Sequence, residues 1–497
     1  METFTPIYLS AHIRELERAA PAASAGASLM ELAGLAAARY AQRLLGEPGC
    51  SPGRSVLVIA GPGNNGGDAF ETAVHLKHNF FRVTLVFAGD PARLPPDAAK
   101  AFRKWTQTGG TSLPDIPEPA QYDLIIDGLF GIGLARPLTG RHAALVTQIN
   151  NLERPILALD VPSGINSDTG AIMGIAVRAR HTLTFIARKP GLLTLDGPDH
   201  CGALHCDTLG LDPAALLAPQ GRLLDKSVMD VLPRRPANFH KGMAGQVAVI
   251  GGNDGMLGAV LLAARAALKT GAGKVFAGFL SARSPDFDAI QPELMLRSPE
   301  DCMAASDVLL LGPGMGTTPA AAALLRTALA CDKPLVLDAD ALNLLATDQS
   351  LHALMQSRVA ATMITPHPAE AARLLGTTTA DVQHDRIAAA TTLAARHGCI
   401  TLLKGNGSVI AEASGAWWIN STGNPGMASA GMGDTLSGIL AALVAQRIPS
   451  TAAMRLAVWT HGTAADELCR DGRGPLGITA SEVIDQARLI FNRRRSN

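Results

Sequence analysis

Asn424-Pro425-Gly426-Met427-Ala428-Ser429-Ala430-Gly431-Met432-Gly433-Asp434-Thr435-Leu436-Ser437-Gly438 runs directly into the apolar pattern Ile439-Leu440-Ala441-Ala442-Leu443-Val444. Small residues dominate the first part, and the second has the composition of a buried helix. A glycine-rich loop feeding a helix N-terminus leaves backbone N–H groups pointing outward with partial positive charge, which makes an anion site, most often for phosphate. The carboxylate of Asp434 stands at that spot. An acid beside a phosphate site is electrostatically costly, so it is expected to have a task. The expected task is to accept a proton from a hydroxyl that attacks the phosphate.

The second half of the chain repeats one plan: an apolar strand, a glycine-bearing turn, a helix. Gly245-Gln246-Val247-Ala248-Val249-Ile250 leads to Gly251-Gly252-Asn253-Asp254-Gly255. Val308-Leu309-Leu310-Leu311 leads to Gly312-Pro313-Gly314-Met315-Gly316, and Leu335-Val336-Leu337 to Asp338-Ala339-Asp340. Met363-Ile364 leads to Thr365-Pro366-His367-Pro368, and Ile400-Thr401-Leu402-Leu403 to Lys404-Gly405. Continuous apolar runs of this length read as strands buried on both faces of a parallel sheet. In such a sheet the carboxyl ends of the strands lie side by side, where open α/β folds bind ligands. Lys404 is placed to meet phosphate as a point charge. Two prolines rigidify the turn that carries His367, which stands evenly between a structural and a functional role. Trp417-Trp418 read as packing residues of a strand.

The first half follows the same plan. Val56-Leu57-Val58-Ile59-Ala60 meets Gly61-Pro62-Gly63-Asn64-Asn65-Gly66-Gly67-Asp68, with a helix predicted over 69–80. The turn is phosphate-sized but has neither dinucleotide-fingerprint nor P-loop spacing. Further strands end in acids: Leu124-Ile125-Ile126-Asp127, and Ile156-Leu157-Ala158-Leu159-Asp160, which leads to Val161-Pro162-Ser163-Gly164. Asn65, Asp127, Asp160 and Ser163 are expected to converge there as oxygen ligands suited to a hard cation. Residues 10–46 carry helical periodicity that Gly46 can end, with Glu31 as a solvated charge.

Between about Leu211 and Pro236 the periodicity fails, and Pro233-Arg234-Arg235-Pro236 marks a boundary. The chain has 497 residues, which suits two or three domains. Apolar residues make up 47% and charged residues 17%, a globular composition rather than a disordered one. A formal net charge of zero argues against nucleic acid or an anionic membrane surface as the main partner. No apolar run reaches bilayer-spanning length. The seven cysteines lack Cys-x-x-Cys spacing and read as reduced thiols of a cytoplasmic protein. Oligomeric state, monomer or homo-oligomer, is left open.

Together these stretches resemble a known family. His240-Lys241-Gly242, Gly251-Gly252 with Gly258-Ala259, Gly312 to Gly316, Asp338-Ala339-Asp340-Ala341-Leu342-Asn343, Thr365-Pro366-His367-Pro368 with Glu370, Lys404-Gly405 and the opening stretch are similar to the ribokinase-like ADP-dependent NAD(P)H-hydrate dehydratases. Gly63 to Asp68, Asp127 with Phe130-Gly131 and Gly133, and Asp160-Val161-Pro162-Ser163-Gly164 resemble the NAD(P)H-hydrate epimerase domain. The resemblance implies two three-layer α/β/α domains: a Rossmann-like epimerase domain over 1–218 and a ribokinase-like dehydratase domain over 225–497.

It also implies a small-molecule substrate, a hydrated NADH or NADPH, with ADP as co-substrate. Phosphate transferred to the hydrate's hydroxyl turns it into a leaving group, and elimination restores the cofactor. By the same implication Asp434 is the proton acceptor, a weak base kept ionised by its helix terminus. Ala259, Gly316 and His367 face the hydrate beside it. Lys404, Gly405, Asn406, Gly407, Ser408 and Gly433 hold the nucleotide, and Mg²⁺ is carried largely by phosphates and water. In the first domain Asn64, Asn65, Gly66, Gly67, Asp68, Gly131, Ile132, Gly133, Leu134, Ala135, Arg136, Pro137 and Asp160 bind the hydrate. Asn65, Asp127 and Ser163 hold K⁺, and Asp160 is the acid/base for epimerisation. The family usually has Gly where Ala69 stands, Thr where Ile132 stands, and a small residue where Met432 stands. The first two are expected to narrow the epimerase pocket, and Met432 to crowd the anion loop. The rival reading is an ATP-dependent sugar or hydroxymethylpyrimidine kinase joined to a non-catalytic nucleotide-binding module.

Overall fold

The computed structural model describes residues 4–20, 27–46, 53–118 and 121–493. The chain divides into two compact units, one over 6–220 and one over 221–497 that also takes in Phe4 and Thr5.

In the first unit the strands Ser112–Leu113, Arg82–Phe87, Ser55–Ala60, Leu124–Gly128, Ile156–Leu159, His181–Phe185 and Ala203–Asp207 lie in that spatial order. Every pairing is parallel. The chain starts at Ser55–Ala60, winds outward to one edge, then returns to Leu124–Gly128 and winds to the other. The sheet therefore has its switch point between those two strands, the place where doubly wound sheets open a crevice. Alternation along Ser55–Ala60 shows why it is buried on both sides. Val56, Val58 and Ala60 join the core under the helices Leu29–Leu45, Asn64–His78 and Pro96–Gln107, while Leu57 and Ile59 join the core under Gly140–Asn151. This is a three-layer α/β/α sandwich.

The second unit is also three-layered α/β/α. Its parallel strands run Ile400–Leu403, Thr362–Ile364, Leu335–Leu337, Val308–Leu311, Gln246–Gly251, Lys274–Phe279, Met295–Arg297. The switch point falls between Val308–Leu311 and Gln246–Gly251. An antiparallel hairpin, Ser408–Ala411 with Trp417–Asn420, extends the sheet, and Gly221–Leu223 pairs parallel to the outer hairpin strand. Both tryptophans are buried there, with the Arg455 guanidinium 5.0 Å from the Trp418 ring. The opening stretch becomes the helix Met432–Ala445, packed against Leu257–Lys269. A Cβ on Gly438 would lie 2.1 Å from the Ala263 carbonyl oxygen, so only glycine permits that approach.

Three local expectations are corrected. The helix predicted over 10–46 is two helices, Ser10–Ala19 and Leu29–Leu45, and residues 21–26 lie outside the described residues. Ser28 begins the second helix through a capping box with Glu31, which satisfies its own backbone donors and so starts a helix afresh. Glu31 is accordingly no solvated charge, since it also pairs with Lys100 at 3.3 Å and with Lys104. The helix predicted over 69–80 is Asn64–His78, because Gly63 is extended and the Asn64-Asn65-Gly66-Gly67 run forms the first helical turn. The six cysteines among the described residues are free thiols, and no described helix is long and apolar enough to cross a membrane.

Candidate functional site

Each unit gathers chemistry at the carboxyl ends of its parallel strands. In the second unit, Lys404 leaves the strand Ile400–Leu403 and its Nζ donates to Asp338 Oδ1 at 2.8 Å. Asp338 follows the strand Leu335–Leu337, which lies one strand further along the sheet beyond Thr362–Ile364, and is 1% exposed. Its Oδ2 accepts from Ser437 Oγ at 2.6 Å, and its Oδ1 also accepts from the Ala339 backbone N at 2.9 Å. Burial works to raise the Asp338 carboxyl, but the Lys404 charge and hydrogen bond, with Ser437, outweigh it and hold it below its usual value. Lys404 is thereby kept protonated. A Cβ on Gly433 would lie 3.3 Å from Lys404 Nζ and 3.7 Å from Asp338 Oδ2, so the anion loop sits directly over this pair.

Asp434 stands in the first turn of its helix. Burial first, and the negative Asp338 second, push its carboxyl up to about 7, with Lys404 pulling the other way. The expectation of a weakly basic, firmly ionised Asp434 is thus corrected, because desolvation and a like charge exceed the pull of the helix terminus and the lysine. Met432 does not crowd the loop. It is 6% exposed and packs into the core beneath the helix.

His367 caps the helix Pro368–Leu375. Its Nδ1 accepts from the Ala369 backbone N at 3.1 Å and its Nε2 lies 3.3 Å from Glu370 Oε1. Burial, then Lys404 and Arg373, lower its pKa. The structural role is therefore plain, and half the ring remains exposed. Gly316 turns beside Asp340, whose Oδ2 accepts the Gly316 N–H at 2.8 Å, and Ala259 lies buried in Leu257–Lys269. The loop after Lys404 is braced from below by Arg386, 1% exposed, whose Nη2 donates to the carbonyls of Leu403 and Lys404 at 3.3 and 3.2 Å. Gly405 takes φ +143°, and a Cβ there would meet the guanidinium at 2.8 Å. Ser408 Oγ closes the loop by donating to the Gly405 carbonyl at 2.9 Å and accepting its N–H at 3.2 Å.

In the first unit Asp127 is fully buried. Its Oδ1 accepts from Ser163 Oγ at 2.6 Å and from the Leu129 backbone N at 3.2 Å, and its Oδ2 from the Ser163 backbone N at 2.8 Å. Burial pushes this carboxyl up to about 6 against those hydrogen bonds. Asn65 is 8% exposed, and both its side-chain polar atoms are buried without a hydrogen-bond partner. Gly131 lies between groups: a Cβ there would be 3.1 Å from Asp160 Oδ2 and 3.3 Å from Asn65 Oδ1. Desolvation, then the charges of Asp160 and Glu17, raise Asp68 well above the usual carboxylate range. Ala69 is turned to the sheet, its Cβ 2.5 Å from where a Cβ on Gly128 would stand, and Ile132 packs on the core, so both departures are taken up by packing. The loop from Gly133 to Pro137 lies between Gly131 and Leu138, with Arg136 and Pro137 exposed and Leu138 buried. A cavity of about 800 Å³ elsewhere in this unit, between Leu32, Arg39, Arg43 and Leu209, includes none of the residues expected from the sequence.

Residues 247–487 match a family model described as NAD(P)H-hydrate dehydratase, and residues 26–191 one described as YjeF-related protein N-terminus. The chain is 39% identical over 499 residues to the bifunctional NAD(P)H-hydrate repair enzyme Nnr of Coxiella burnetii, covering 98% of this chain and all of the relative. The chain belongs to the bifunctional NAD(P)H-hydrate repair enzyme family. The repair enzyme of Escherichia coli is 39% identical over 450 residues, covering 88% of this chain and 85% of that one. Among solved structures, an ADP/ATP-dependent NAD(P)H-hydrate dehydratase from Bacillus subtilis is 28% identical, with a TM-score of 0.47, over 54% of this chain and 95% of its own. A repair enzyme of this family is an epimerase and a dehydratase in one chain, and the kinase reading is not favoured.

Three residues of these sites have no role legible in the sequence by itself. Asp338 stands in the Asp338-Ala339-Asp340 stretch, and its position after a strand, like that of Lys404, is the one signal it carries. Arg386 lies within a helix and Lys189 in a loop, and neither carries a local signal.

Proposed function

We propose that this protein repairs hydrated NADH and NADPH at two sites. The first unit interconverts the R and S epimers of the hydrate, and the second dehydrates the S epimer with ADP, giving AMP and phosphate. The observation that carries the reading is the meeting of Asp434, the Gly431–Gly433 loop and the Lys404–Asp338 pair at the carboxyl ends of the parallel strands. Lys404 and the loop N–H groups take the nucleotide's phosphates. Asp434 takes the hydroxyl proton as the hydroxyl oxygen bonds to the terminal phosphorus and AMP departs. The new phosphate ester then leaves as phosphate while the neighbouring ring carbon gives up a proton, restoring the dihydronicotinamide. A carboxyl held near 7 is a stronger base than an ordinary one and is still half ionised at neutral pH. Gly405, Asn406, Gly407 and Ser408 hold the nucleotide on the rigid, Arg386-braced loop, and Ala259, Gly316 and His367 face the hydrate.

Among the described residues no group of three or more His, Cys, Asp or Glu side chains is arranged to hold a metal. Mg²⁺ bound with ADP would be carried largely by the phosphates and water and would neutralise phosphate charge. In the first unit an orphaned Asn65 carbonyl and the Asp127 carboxylate, which has hydrogen-bond donors but no cationic side chain among the causes of its shift, fit a hard monovalent cation; with Ser163 they hold K⁺. The residues from Asn64 to Asp68 and from Gly131 to Pro137 bind the hydrate, with Asp160 as acid/base.

The test supplies both hydrate epimers with ADP and Mg²⁺ and follows the return of NADH absorbance. Complete recovery is expected. Recovery that stops at the S fraction would remove the epimerase reading, and a stable phosphorylated product without NADH would restore the kinase reading.

A further inference from the structure

Lys189 is 1% exposed, and its ammonium uses all three of its donors. It bonds Asp160 Oδ1, Thr184 Oγ1 at 2.8 Å and the Phe185 carbonyl at 2.7 Å. Thr184 Oγ1 in turn donates to Asp160 Oδ1 at 3.3 Å, and the Phe185 backbone N approaches it at 3.4 Å. Among the described residues every hydrogen bond to this carboxylate falls on Oδ1. Oδ2 faces the space above Gly131, which the partnerless Asn65 amide also faces. The backbone is committed to the same end: Asp160 sits at φ +64°, pinned by its N–H to the Leu183 carbonyl at 2.8 Å. A left-handed non-glycine residue is costly and persists where its surroundings over-determine it. A buried lysine without its carboxylate would be costlier still.

We propose that Lys189 is the positioning residue of the epimerase site: it occupies Oδ1 of Asp160, leaving Oδ2 as the one oxygen that meets the hydrate. This rests on the reading of Asp160 as the acid/base. The hydrate carries its hydroxyl on carbon 6, next to the ring nitrogen; Oδ2 takes the proton of that hydroxyl, the bond between this carbon and the nitrogen breaks, and its electron pair passes to the ring nitrogen, conjugated with the carboxamide. The aldehyde so formed rotates, the nitrogen attacks its other face, and Oδ2 returns the proton to the oxygen. Nothing is oxidised or reduced, and no proton is gained or lost overall.

The experiment measures epimerisation of the R hydrate by the full chain, with the thermal unfolding of each variant against wild type as the control of folding. Lys189→Met is expected to lower epimerase kcat roughly 100-fold, the scale of a misplaced catalytic group, with KM for the hydrate little changed. Asp160→Asn is expected to be as slow, and the double variant no slower than Asp160→Asn. Wild-type kcat in Lys189→Met, or losses that multiply in the double variant, would overturn the positioning role. Wild-type kcat in Asp160→Asn would instead overturn the reading of Asp160. Should Lys189→Met fail to fold, Thr184→Val decides: loss of kcat that Thr184→Ser restores supports the role, and unchanged kcat overturns it.

Discussion

At the scale of the residue, Asp434 shows how far environment moves a side chain from its ordinary chemistry. Its carboxyl is raised from 3.8 to about 7, so the protonated form dominates below that pH and the base form above it. Dehydratase kcat/KM for the hydrate is therefore expected to rise about tenfold per pH unit on the acid side and level off above about pH 7, measured as NADH recovery between about pH 5 and pH 9. Asp434→Asn removes the proton acceptor. A loss of about 10²–10⁴-fold in kcat is expected, with epimerase activity retained, and near wild-type turnover would sink the assignment. The importance of this aspartate was legible in the sequence, from a carboxylate standing in a glycine loop. Its basicity was not, because desolvation and the charge of Asp338 come from parts of the chain that sequence order keeps apart.

At the scale of the element, the strands were legible because each is a short apolar run ended by glycine or acid, and burial on both faces leaves no other pattern. Helix ends were less so, since the Asn64-Asn65-Gly66-Gly67 run has poor helix propensity and is helical only because the preceding strand delivers it there. Helix contacts carry two predictions. Gly438→Ala forces a Cβ against the Ala263 backbone carbonyl, and a loss of stability of about 1–3 kcal/mol is expected from denaturant midpoints. Arg386→Met withdraws the brace under the Lys404–Gly405 turn; a rise in KM for ADP of about tenfold is expected, with KM for the hydrate in the epimerase assay unchanged. Glu31 carries a third. Hydrogen bonds from Lys104 and the Ser28 backbone lower its carboxyl from 4.5 to about 2. Its contribution to stability is whole above 4.5 and lost as pH falls through about 2, so Glu31→Gln is expected to flatten the stability–pH curve in that window while lowering the neutral-pH midpoint.

At the scale of the whole molecule, two sites, one per unit, divide the work, and the division is measurable. With both epimers present, Asp434→Asn is expected to recover no NADH, whereas Asp160→Ala recovers the S fraction and stops. Mixing the two variants is expected to restore complete recovery, because the hydrate is a diffusible small molecule. The sequence by itself determined the class of fold, the order of strand, glycine turn and helix, and the two-part layout, since these follow from local periodicity and from backbone positions that only small residues accept. The tertiary structure alone decided which acid meets which base. Lys404 finds Asp338 across 66 residues and Lys189 finds Asp160 across 29, because parallel sheets bring strand ends together irrespective of their distance along the chain. The Gly431-Met432-Gly433-Asp434 loop announces an anion site in its own letters. Its proton affinity belongs to those distant partners, since charge interacts through space and burial is a property of the assembled core.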